Sequence, residues 1–124
     1  MSENLKNFEL EVSSGGGFTG AWTGTRISPD GTVTRWKTGP HGAGRKDETV
    51  GRLTPAQLEG LLEALESANI FGMTLDQPGN MTTQISATSG GRHKEVRFSG
   101  MSDSAPPALQ GVLSRFDTAV GSLK

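Results

Sequence analysis

Cysteine is absent from the 124 residues, which removes disulfide frameworks, thiolate nucleophiles and cysteine-based zinc or iron–sulfur centres together. Long apolar runs are absent too. No segment approaches a membrane span, and the opening residues "MSENLKNFEL" carry no basic stretch followed by an apolar one. The expectation is a soluble, cytoplasmic protein with no membrane partner. Nor does one charge sign dominate: twelve Lys and Arg against thirteen Asp and Glu leave a formal net charge of −1, with the cations scattered along the chain. A nucleic-acid partner is therefore not expected.

Reaction signatures are equally sparse. The two histidines, His41 and His93, have no second histidine at ligand spacing, so no metal and no cofactor are expected. No G-x-S-x-G elbow occurs, and the serines of "GMSDSAP" have no identifiable base beside them. Glu59, Glu63 and Glu66 fall on one helix face opposite a leucine stripe, which reads as a solvated charged face and not as an acid–base site. The chain reads as a non-enzyme.

What is present is alternation punctuated by glycine. Hydrophobic types make up 32% of the residues, enough for one modest core in a single domain over residues 1–124. "FELEV" places Phe8, Leu10 and Val12 on one side of a strand, and "AWTGTRIS" and "TVTRWK" read as two more strands joined by the Pro-Asp-Gly turn of "SPDGT". Residues 38–48 are Gly-rich, charged and without period, hence a flexible loop, after which "TVGRL" is a short extended piece.

Thr54 as N-cap, Pro55 at the first helical position and Leu58, Leu61, Leu62 and Leu65 at helical spacing specify a helix. "LDQPGN" is a turn. "MTTQISATS", Gly90-Gly91 and "RHKEVRFSG" form a hairpin with Ile85, Val96 and Phe98 inward. A second helix from about Pro106 carries Leu109, Val112, Leu113, Phe116 and Val120 on one stripe. The predicted fold is α+β: a four- to five-stranded antiparallel sheet with two helices on one face, in the order β-β-β-α-β-β-α.

Two features invite a function. In "SSGGGFTG", Gly15, Gly17 and Gly20 have the G-x-G-x-x-G spacing of a dinucleotide turn, but the following run is strand-like, and a pyrophosphate needs a helix N-terminus there. The stretch reads instead as a connection between strands. Trp22 and Trp36 fall on the sheet face opposite Ile27 and Val33 if alternation is regular. There they either cover each other across the hairpin or form an exposed protein-binding patch.

The segments "FELEVSSGGGFTGAW", "ISPDGTVTRWK", "LTPAQLEGLLEALESANIFGM", "MTTQISATSGGRHKEVRFSG" and "PPALQGVLSRF" together resemble the emfourin-like family of small bacterial proteins. That family is typified by a proteinaceous inhibitor of protealysin, a thermolysin-like zinc metalloprotease. The likeness spans roughly residues 8–118 and rests on scaffold motifs, with one extra glycine in the first loop and an insertion around 38–48. It implies an inhibitor that binds a thermolysin-like metalloprotease and blocks its active-site cleft, with no catalysis of its own; a monomer is expected. The candidate partner-binding residues are Ser14, Gly15, Gly16, Gly17, Phe18 and Gly20, with Trp22 and Trp36, and Phe18 is the candidate apolar anchor among small neighbours. The competing expectation is a small-ligand or carbohydrate-binding module with Trp22 and Trp36 as its platform, or a structural accessory domain.

Overall fold

In the computed structural model, which describes residues 7–16, 20–40, 44–100 and 105–123, the first alternating runs become β1 (Glu9–Gly16), β2 (Ala21–Ile27) and β3 (Thr32–Lys37). Next come β4 (Lys46–Arg52), α1 (Pro55–Ser67), a 3₁₀ turn (Ile70–Gly72), β5 (Asp76–Gln77), β6 (Met81–Ser89), β7 (Arg92–Ser99) and α2 (Pro107–Gly121). The strands form one seven-stranded sheet in the order β4-β3-β2-β1-β6-β7-β5. Neighbours are antiparallel except β5, which runs parallel to β7.

The α+β class is as expected, but the sheet is larger and mixed. The two edge strands, β4 and the two-residue β5, account for the difference. The segment read as a turn holds β5, whose Asp76 and Gln77 pair with Arg97 and Phe98. The stretch 38–48 is loop only in part, because Lys46, Asp47 and Glu48 open β4 and pair with Lys37, Trp36 and Arg35. Residues 41–43, including His41, lie outside the described residues.

Tight turns set the register. Between β2 and β3, the Ser28 amide donates to the Thr32 carbonyl at 2.9 Å and the Gly31 amide to the Ser28 carbonyl at 2.8 Å. Gly31 sits at φ +92°, a conformation that favours glycine. The Asp30 carboxylate accepts the Thr32 amide at 2.9 Å, and that bond holds its pKa below the ordinary 3.8. Gly90 and Gly91, both at positive φ, join β6 to β7, as a two-residue hairpin of this kind requires.

Pairing places Leu10 between Ile27 and Ala87, and Ile85 opposite Val96, all fully buried. These residues form one hydrophobic cluster with Leu58, Leu61, Leu62 and Leu65 of α1 and the α2 stripe from Leu109 to Val120. Both helices thus cover the same sheet face. Gln57 of α1 donates to Ser122 just past α2 at 3.2 Å, while Glu66 near the other end of α1 meets Arg92 at the start of β7 at 3.4 Å. The helices are therefore antiparallel and run crosswise, from the β4 side toward β7.

α1 starts where its sequence says. The Thr54 side chain accepts the Gln57 amide at 3.2 Å and the Gln57 side chain accepts the Thr54 amide at 2.9 Å, a reciprocal capping box. Thr54→Ala leaves a helix-end amide without its side-chain acceptor, so a loss of about 1 kcal/mol in urea unfolding is expected. A change under about 0.3 kcal/mol would mean that water replaces the cap at no cost.

Candidate functional site

The glycine stretch lies at the end of the sheet away from the β2–β3 and β6–β7 hairpins, where β1 finishes and β2 begins. Gly16 at φ +103° and Gly20 at φ +66° bracket the connection; Gly17, Phe18 and Thr19 lie outside the described residues. β2, not a helix, follows Gly20, so the amide cradle of a dinucleotide site is not built here.

The base of this tip is held by a hydrogen-bond chain on the helix-covered face of the sheet. Ser14 Oγ lies 2.9 Å from Thr83 Oγ1, and Thr83 Oγ1 donates to the Gly100 carbonyl at 2.8 Å. A threonine hydroxyl carries one proton, so Ser14 is the donor in the first bond. The Gly100 amide in turn donates to the Met81 carbonyl at 2.8 Å. β1, β6 and the chain leaving β7 are thus tied together through Thr83, which is fully buried. Met81, paired with Gly16, is 37% exposed and is the exposed large hydrophobic residue among those described.

On the opposite sheet face the tryptophans lie where alternation puts them, yet they do not face each other. Trp36 is in register with Gly24, and Trp22 with Gly15. A β-carbon built on Gly15 or Gly24 would fall inside the corresponding indole, so each ring lies over a strand position that has no side chain. Trp36 spans β2 to donate its Nε1–H to Glu11 of β1 at 3.0 Å. Its ring is then covered by Arg45, whose guanidinium carbon is 4.7 Å from the ring centroid. Arg45 is held there by Asp47 at 2.8 Å, and that hydrogen bond raises its already high pKa.

The expected patch therefore divides. Ser14, Gly15, Gly16, Gly20 and Trp22 gather at the tip, whereas Trp36 belongs to a closed stack of Gly24, indole and Arg45. Residue reading missed Glu11, Gly24, Arg45, Met81 and Thr83. Gly24 had a signal: mirror pairing outward from the Pro-Asp-Gly turn sets it opposite Trp36.

Among the described residues no group of three or more His, Cys, Asp or Glu is placed to hold a metal ion, and no helix is long and apolar enough to cross a membrane. His93 is exposed, with Thr88 Oγ1 at 2.8 Å and Glu95 at 3.7 Å across and along the β6–β7 hairpin. No protein-family model matches the chain, and no curated protein matches it.

Proposed function

We propose that the chain is a non-enzymatic protein-binding domain that acts as a monomeric inhibitor of a thermolysin-like zinc metalloprotease, with the β1–β2 tip as the inserted element. The observation that carries this reading is the tip's construction. β1 ends at Gly16, paired with the exposed Met81, and β2 opens at Ala21 just after Gly20; this end of the sheet is fixed by the Ser14–Thr83–Gly100 chain. A base fixed in this way lowers the ordering cost of filling a cleft. The likeness of the scaffold segments to the emfourin-like family supports the same assignment.

Inhibition of purified thermolysin-like proteases by the intact chain tests it. Phe18→Ala is expected to raise the inhibition constant roughly tenfold or more, as loss of an apolar anchor does. Unchanged inhibition by that variant would sink the anchor, and lack of inhibition by the parent chain across the panel would sink the function. The sugar-platform reading keeps one ring, Trp22, because Arg45 covers Trp36. Saturable quenching of tryptophan fluorescence by a sugar, without protease inhibition, would move the assignment there.

A further inference from the structure

The crosswise helices leave part of the inner sheet face uncovered. Between α2 and the tip end of β1–β4 lies an open groove of about 630 Å³, within the roughly 300–1,000 Å³ range of small-ligand sites. Val12 and Phe116 give it an apolar wall, Ser14, Thr23 and Thr25 contribute hydroxyls, and Arg35, Lys37 and Lys46 line its other side.

The cations are the informative part. Arg26, Arg45, Arg52, Arg92 and Arg97 each have a carboxylate within ion-pair distance. Among the described residues Arg35, Lys37, Lys46, Lys94 and Arg115 have none, and the first three converge on this groove. Lys37 and Lys46 are direct cross-strand partners, an arrangement that repels unless an anion sits between or above them. Two residues further from the tip, Arg35 is in register with Glu48; Asp117 of α2 and Asp47 also line the groove, Asp47 being held by Arg45. Positive charge thus prevails at the tip end and is offset toward the helix.

We infer that the groove binds a monocarboxylate with an apolar body, the carboxylate on Lys37 and Lys46 and the body against Val12 and Phe116. Glu48 and Asp117 oppose a second negative charge, which disfavours polyphosphates. Two sources carry this chemistry: a free aryl or alkyl acid, and the C-terminal residue of a peptide. The inference is independent of the tip: a chain that inhibits no protease would still bind such a ligand, and an inhibitor could lack it.

Amide NMR titration of the full chain separates the outcomes, using phenylacetate, acetyl-Ala-Ala-Phe, the same peptide as its C-terminal amide, and pyrophosphate. Saturable shifts at Thr23, Lys37 and Lys46 are expected with phenylacetate and the peptide acid, weakening as salt is added. The peptide amide and pyrophosphate should bind more weakly than either. Lys37→Gln and Lys46→Gln should each weaken phenylacetate about twofold to fivefold, the scale of an exposed ion pair, and Asp117→Asn should tighten it. Tighter binding of the peptide acid than of phenylacetate assigns the site to chain termini; equal or weaker binding assigns it to free acids. Absence of saturable shifts, equal binding of acid and amide, preference for pyrophosphate, or lysine variants with parent affinity would each overturn the inference.

Discussion

Leu10→Ala is expected to cost about 3–5 kcal/mol in urea unfolding, the upper part of the range for leucine truncation in a core. β1 lies at the centre of the sheet order, and Leu10 is fully buried between Ile27 and Ala87. The strand is hydrogen-bonded on both sides, so its backbone cannot sink into the space vacated, and Ala87 is too short to swing across. The truncation therefore leaves a cavity as well as lost apolar contact. Against a typical total stability of about 5–15 kcal/mol, the variant should approach the folding threshold and melt on the order of 10 °C lower. Leu62→Ala, on a helix and at 5% exposure, should cost less because neighbouring side chains can relax. An unchanged urea slope would confirm that stability alone moved. A cost below about 1 kcal/mol for Leu10→Ala would contradict the placement of β1 at the centre of the core.

The elements that were legible in the residues are those whose causes are local. α1 follows from Thr54, Pro55 and four leucines, all within two turns of where they act. β4 was illegible at its start because "KDETVGR" is an edge strand whose first four residues are exposed. Its side chains face water and guard an open edge, so apolar alternation is missing; pairing to β3 makes it a strand. β5 is two residues long and exists only against β7, with Asp76 and Arg97 3.1 Å apart. The tip was visible as a glycine cluster, but the Ser14–Thr83–Gly100 chain joins residues far apart in sequence. The tryptophans show the intermediate case: their face was readable from alternation, whereas their partners depend on register. Trp22 falls opposite Thr38, whose amide donates to the Trp22 carbonyl at 2.8 Å, so the two rings are out of step across the hairpin and cover glycines instead.

Gly24→Val gives that register its sharpest test, because local and tertiary effects predict opposite signs. In an ordinary strand, valine in place of glycine stabilises, through β-propensity worth up to about 1 kcal/mol and a less flexible unfolded chain worth about 0.4–1 kcal/mol. Here the new β-carbon would occupy the space of the Trp36 indole. The ring must leave, the 3.0 Å bond from Nε1 to Glu11 breaks, and Arg45 loses the surface on which it stacks. Overpacking costs about 1–3 kcal/mol, and a hydrogen bond to a charged group contributes about 1.5–3 kcal/mol. The losses exceed the gains, so a net destabilisation of about 2 kcal/mol is expected, with Trp36 emission shifted to the red when measured in a Trp22→Phe background. In a Trp36→Ala background the steric conflict is gone, and Gly24→Val should become neutral or stabilising; the coupling between the two sites is then on the order of 2 kcal/mol. A stabilising Gly24→Val in the parent chain, or a cost unaltered by Trp36→Ala, would show that the indole does not lie over Gly24.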